Sequence, residues 1–140
     1  MTKHPNDVAY TAAVRGVQER LGSRSINEGM AADRAERTTV TPELVSFVER
    51  MDMLYLGTAS LAGQPYIQYR GGPVGFLKVI DERTLGFADY AGNRQYISLG
   101  NLAENPRAYL FLIDYVNAQR VKLWGLARVV YDDPELLKRL

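Results

Sequence analysis

The chain has 140 residues, 46% hydrophobic and 24% charged, a length and mix that predict one globular domain and exclude wholesale disorder. Seventeen basic residues against 16 acidic ones leave a net charge of +1, so no whole-protein field steers the chain toward nucleic acid. The absence of cysteine excludes disulfides, thiolate metal sites and a cysteine nucleophile, and the one histidine, His4, argues against a His-rich metal centre or a Ser-His-Asp triad.

Residues 1–40 read as an irregular, partly helical arm. Asp7 is a candidate N-cap, and Val8, Ala12, Val14, Val17 and Leu21 give a ragged apolar stripe that ends at Gly22. From Ser23 to Thr39 the chain turns polar and basic, with Arg24, Arg34 and Arg37 among small residues. A mobile, solvated lead-in is expected there, a strap over a partner subunit being the alternative. His4 falls in the polar terminus and is expected to be solvated.

The compact part, residues 41–140, opens on Thr41-Pro42-Glu43: an N-cap threonine, a proline at the first helical position and an acid in the first turn. Leu44, Phe47, Val48 and Met51 follow at helical spacing and define one buried face. After Asp52 the period shortens to two. Strands are expected at Met53–Ser60, Tyr66–Arg70, Phe76–Ile80 and Thr84–Asp89, with turns at Leu61–Pro65, Gly71-Gly72-Pro73 and Asp81-Glu82-Arg83. A short helix from about Asn93 to Ala103 stops at Asn105-Pro106, because proline disfavours helix in the residue before it. Ala108–Asp114 and Val121–Tyr131 complete six strands, and Asp133-Pro134-Glu135 opens a last helix. Close strand spacing with one inserted helix predicts a mainly β fold, a six-stranded antiparallel barrel with flanking helices.

Chemistry concentrates between Tyr66 and Gln95, where five of the 12 glycines fall. Gly71-Gly72-Pro73 directly follows Gln68-Tyr69-Arg70, which puts an amide and a cation beside a bend; a barrel corner explains the glycines equally well. In Asp89-Tyr90-Ala91-Gly92-Asn93-Arg94-Gln95 a strand ends and Asn93 would cap a helix whose first turn holds Arg94 and Gln95. Free amides at a helix start attract anions, and a guanidinium adds a fork for phosphate oxygens. The plain alternative pairs Arg94 with Asp89 or Glu104 at the surface. No lysine followed by serine or threonine closes a glycine-rich run, so a Walker loop is excluded, as is the dinucleotide fingerprint. Alternation puts Trp124 on one face with Lys122 and Arg128, either packed or turned toward a partner or a ring-shaped ligand. Asp132-Asp133 reads as a turn and helix cap, not a metal site.

Taken in order, GQPYIQYRGGPVGFLKVIDERTLGFADYAGNRQYISLGNLAENPRAYLFLIDY and then RVKLWGLARVV resemble the flavin-binding split-barrel family related to pyridoxamine 5'-phosphate oxidase, over roughly residues 41 to 131. The resemblance implies a six-stranded split barrel that forms a homodimer and binds FMN between subunits. By position it implies that Gln68, Tyr69, Arg70 and Gly71 lie along the flavin and its phosphate tail, and that Ala88 and Asp89 border the cofactor. Asn93, Arg94 and Gln95 would hold the phosphate, and Arg120 would approach from the other subunit. Gln95 stands where the oxidases carry a second basic residue, and the Gly71-Gly72-Pro73 insertion also departs from their strand. The sequence stops at Leu140, before the tryptophan and arginine region with which the oxidases grip the vitamin, and so reads as C-terminally truncated.

The implied activity is hydride transfer through flavin N5 to or from a small molecule, with no side-chain nucleophile required. Tyr69 and Tyr90 are the nearest titratable groups. A non-catalytic flavin carrier or sensor, a relative using deazaflavin F420 or haem, and a structural dimer with a vestigial pocket are the alternatives. No apolar run approaches the ~20 residues of a membrane span, and MTKHPNDVAY lacks the order of a secretory signal, so a cytoplasmic protein without membrane contact is expected.

Overall fold

The computed structural model describes residues 8–32 and 38–140. Helices α1 (Ala12–Arg20) and α2 (Arg24–Ala32) form a hairpin that turns at Gly22, whose φ of 73° suits a residue without Cβ. The cap of α1 is Thr11, whose hydroxyl accepts the Val14 N–H at 3.3 Å. The proposed cap Asp7 lies outside the described residues, as do His4, Arg34 and Arg37.

Where composition predicts a mobile lead-in, the structure has α2. Its first turn is held by an Arg24–Glu28 ion pair at 2.7 Å and by Asn27 Nδ2 donating to Ser23 O at 2.8 Å. The hairpin is joined by polar contacts, Arg24 Nη1 to Gln18 Oε1 at 3.2 Å and Tyr10 OH to Asn27 Oδ1 at 3.3 Å, while Val17, Leu21, Ile26 and Met30 face outward. Low hydrophobicity therefore coexists with helix because local charge and capping supply what burial does not.

Helix α3 (Pro42–Val48) begins where Thr41 Oγ1 accepts the Leu44 N–H at 3.3 Å. Its Phe47 and Val48 join Met51, Leu54, Leu56, Phe76, Leu77 and Leu112 in the core. Strand β1 (Met53–Ala59) alternates strictly, so that Leu54, Leu56 and Thr58 point inward. It lies between β2 (Pro65–Gly71) and β5 (Arg107–Asp114), and β6 (Gln119–Leu126) completes an antiparallel sheet in the order β2-β1-β5-β6. Strands β3 (Lys78–Asp81) and β4 (Thr84–Gly86) form a separate two-stranded hairpin. The last helix, α5 (Pro134–Arg139), is capped by Asp133 Oδ1, and its Arg139 reaches the Ile80 carbonyl.

The fold is thus mainly β with flanking helices, but its six strands divide four and two, and no ladder closes a barrel among the described residues. The reason lies after β2. Gly72 N–H donates to Asp52 O at 3.0 Å and Gly75 N–H to Met51 O at 2.8 Å, which pulls the chain back over the end of α3. Phe76 and Leu77 then fill the open side of the core instead of extending a strand. Gly75 has a φ of 75°, and a Cβ there would sit 3.1 Å from Glu49 O. Gly75→Ala is expected to cost about 1–2 kcal/mol, read as a lower urea midpoint at unchanged slope; an unchanged midpoint would show that the turn relaxes freely.

Other boundaries shift for local reasons. The expected fourth strand loses Phe87–Asp89, which leave the ladder after Gly86, and the expected sixth strand ends at Leu126, where Ala127 N–H donates to Pro106 O at 2.8 Å. The helix expected from Asn93 begins only at Ile97 (α4, Ile97–Glu104), because Arg94 and Tyr96 take left-handed φ values of 60° and 55°. Asn93 serves instead as an Asx turn, its Oδ1 accepting the Gln95 N–H at 3.1 Å. Helix α4 is fastened to the sheet by Asn101 Nδ2 donating to Thr58 Oγ1 at 3.0 Å. Among the described residues no helix is long and apolar enough to cross a membrane.

Candidate functional site

Strand β2 sorts its side chains by parity. Tyr66, Gln68 and Arg70 are half-buried on the face beneath α4, whereas Pro65, Ile67 and Tyr69 are exposed on the other. The segment 89–96, left free by the early end of β4 and the late start of α4, lies against Gln68 and Arg70. Between them is a crevice of about 20 Å³ lined by Gln68, Arg70, Asp89, Asn93, Tyr96 and Leu99, with residues 90–92 also in its wall.

Arg70 Nε lies 2.7 Å from Asp89 Oδ1, and the guanidinium is mostly buried at 13% side-chain exposure. The Nε–H does not point along that contact, so charge attraction rather than an aligned hydrogen bond holds the pair. Arg70 Nη1 donates to Tyr69 O at 3.3 Å. Beside it, Gln68 Oε1 is 3.3 Å from both Tyr66 OH and Ser98 Oγ. The 91–94 turn closes through Arg94 N–H to Ala91 O at 3.0 Å, and the Arg94 side chain is exposed and does not line the crevice.

Of the ten residues singled out from the sequence, the crevice gathers Gln68, Arg70, Asp89 and Asn93, with Gln95 adjoining through its hydrogen bond to Asn93. Ala88 precedes Asp89 without lining the crevice. Tyr69 lies on the opposite face, edge-on to Tyr55 at 6.3 Å, and Gly71 leaves room for its ring: a Cβ there would come within 2.8 Å of the ring carbons. Arg120 stands on the far edge strand, separated from β2 by β1 and β5. Ser98 and Tyr66 were not candidates from the sequence. The alternation of β2, which puts Tyr66 on the face of Gln68, is the signal that points to the second of them.

The outer face of the sheet holds a second, open concavity of about 550 Å³, with Gly57, Pro65, Ile67, Arg107, Tyr109 and Trp124 among its walls. Tyr109 and Trp124 pair across β5 and β6 with ring centroids 5.0 Å apart. Burial pushes the Tyr109 hydroxyl pKa up, and the Arg120 charge acts in the opposite direction. Trp124 is 44% exposed and shares its face with Lys122 and Arg120; Arg128 lies beyond the end of the strand. With Ile67, exposed Tyr69 and Leu126 make this surface apolar beyond the concavity.

The sequence profile described as pyridoxamine 5'-phosphate oxidase matches residues 40–140. The chain belongs to the pyridoxamine 5'-phosphate oxidase family. Members of this family are generally flavin-binding and often dimeric. No curated protein matches the chain. Among solved structures, a crystal structure of a single-residue variant of HupZ from Group A Streptococcus is similar, with a TM-score of 0.57 and 14% identity over 71% of this chain and 78% of that one. At that identity the similarity shows the fold, a pyridoxamine 5'-phosphate oxidase-like arrangement of the sheet and its flanking helices.

Proposed function

We propose that this member of the pyridoxamine 5'-phosphate oxidase family is an FMN-binding oxidoreductase acting on a small molecule. The observation that carries the reading is the crevice under α4, where an amide from β2 and a left-handed turn rich in polar groups meet at the start of a helix. Gln68 and the Arg70–Asp89 pair would wall the ring system, and Asn93, Arg94 and Gln95 would hold the phosphate. When bound, FMN supplies the redox chemistry, exchanging a hydride at N5. Arg70 already spends its charge on Asp89, so the phosphate charge falls to Arg94, whose side chain is exposed.

A crevice of about 20 Å³ is a polar wall rather than a pocket, since small-molecule sites usually enclose roughly 300–1,000 Å³. A second wall is required, and a second copy of the chain supplies it in this reading. The outer sheet face would form the homodimer contact; β2 is an edge strand, and Arg120 of the second copy would complete the site by passing around that edge to the crevice on the inner face. Tyr69, on that face, then meets the partner rather than its own crevice.

The direct test is the visible spectrum after incubation with FMN and desalting. Retained flavin absorbance is expected, and a colourless protein would defeat the reading. Arg94→Ala should weaken FMN binding by about 1.5–3 kcal/mol, the scale of a hydrogen bond to a charged group; unchanged affinity in a fluorescence titration would remove Arg94 from the phosphate site. Turnover of NADH or NADPH with FMN separates an oxidoreductase from a flavin carrier, which does not turn over.

A further inference from the structure

The strongest unassigned feature is the way Gln68 is held. Its Oε1 lies 3.3 Å from Tyr66 OH, two residues away on the same face of β2, and 3.3 Å from Ser98 Oγ on α4. Ser98 is fully buried, so its hydroxyl proton has to find an acceptor inside the protein. An amide oxygen has two lone pairs, and these two hydroxyls occupy both. The amide nitrogen is left with two N–H groups. Gln68 Nε2 makes no hydrogen bond among the described residues, yet it is not sealed from solvent, and Gln68 lines the crevice.

We infer that Tyr66 and Ser98 are positioning residues that lock Gln68 as a hydrogen-bond donor toward the crevice, so that the crevice takes a ring edge that accepts hydrogen bonds. An unpinned glutamine could rotate its amide by half a turn and present either polarity. Pinning the oxygen removes that freedom before any ligand arrives, which lowers the cost of ordering on binding. The matching chemical class is a heteroaromatic ring with carbonyl oxygens or unprotonated ring nitrogens. This deepens the flavin reading and rests on it: the pyrimidine edge of FMN has such carbonyl oxygens, and a donor there favours the electron-rich reduced form.

The test uses the full chain with FMN as the probe, and reads affinity by fluorescence quenching and the midpoint potential of the bound flavin. Gln68→Met, which keeps the length and loses the donor, should weaken binding about 5-fold, in line with one neutral hydrogen bond. Gln68→Glu keeps the oxygen that Tyr66 and Ser98 hold but turns a carboxylate oxygen to the crevice, so it should weaken binding well beyond Gln68→Met, at least about 30-fold. Tyr66→Phe and Ser98→Ala should each cost about 3-fold and lower the flavin potential, with an unchanged far-ultraviolet circular dichroism spectrum.

Gln68→Glu binding as tightly as wild type would mean that the amide presents its oxygen, and would overturn the inference. Tyr66→Phe and Ser98→Ala leaving both affinity and potential unchanged would overturn it as well. In both results wild type still binds FMN, so the family-level flavin reading survives. A wild-type protein that binds no FMN would instead defeat the flavin reading and this inference with it.

Discussion

Trp124→Glu is expected to break the proposed homodimer and, with it, most of the proposed FMN binding. The indole is half-exposed on the edge strand β6, tilted against Tyr109 with ring centroids 5.0 Å apart, and borders the 550 Å³ concavity of the outer face. Aromatic residues in such places dominate interface energetics, often contributing about 2–4 kcal/mol each. A carboxylate there adds the cost of desolvating a charge against an apolar partner. Lys122 and Arg120 share the face, so a small part of that penalty is offset in the monomer, which should keep the variant folded. Sedimentation should show a shift from dimer to monomer, and FMN affinity should fall by at least about 30-fold, the equivalent of roughly 2 kcal/mol. A variant that remains dimeric with undiminished affinity would place the interface elsewhere. A monomer that binds FMN as well as wild type would show that one chain builds the whole site.

Leu112→Ala should be among the most destabilising single truncations, at about 3–4 kcal/mol within the range for buried leucines. Leu112 is fully buried on β5, the strand between β1 and β6, and belongs to the same core as Leu54, Leu56 and Leu77. Strands on both sides prevent β5 from moving inward to close the cavity, so the loss includes the void as well as the transfer energy. Against a typical stability of about 5–15 kcal/mol this is a large fraction, and it should appear as a fall in urea midpoint at constant slope. Leu126→Ala, 79% exposed at the end of β6, is the control and should change the monomer's stability by less than about 0.5 kcal/mol. A Leu112→Ala cost below about 1 kcal/mol would show that the two sheets can collapse onto the space.

Much of the fold is legible in the residues because short-range rules decide it. The Thr41-Pro42 start of α3, the alternating burial of β1 and the Asp133-Pro134 start of α5 each follow from a cap, a period or a missing donor. Part of the candidate crevice was legible for the same reason. Gln68, Arg70, Asp89 and Asn93 stand at a bend and a strand end, and these are the residues that meet in the crevice. Where the reading failed, two local rules competed. Asn93 suits a helix cap and an Asx turn equally, and the left-handed Arg94 and Tyr96 favour the turn, which delays α4 to Ile97.

The sequence by itself determined the mainly β class and most of its strands and helices, because periodicity, caps and turn residues act within a few positions of the chain, and the resemblance of its ordered segments pointed to the family. Only the tertiary structure decided that the six strands split four and two, since that depends on Gly72 and Gly75 bonding back to Asp52 and Met51. It alone placed Arg70 on Asp89 and Ser98 on Gln68, contacts between residues 19 and 30 positions apart. It also put Trp124, Tyr109 and Ile67 on one apolar face of a sheet whose strands lie far apart in the chain. Pairing over such separations depends on how the whole core closes, and no local pattern encodes that.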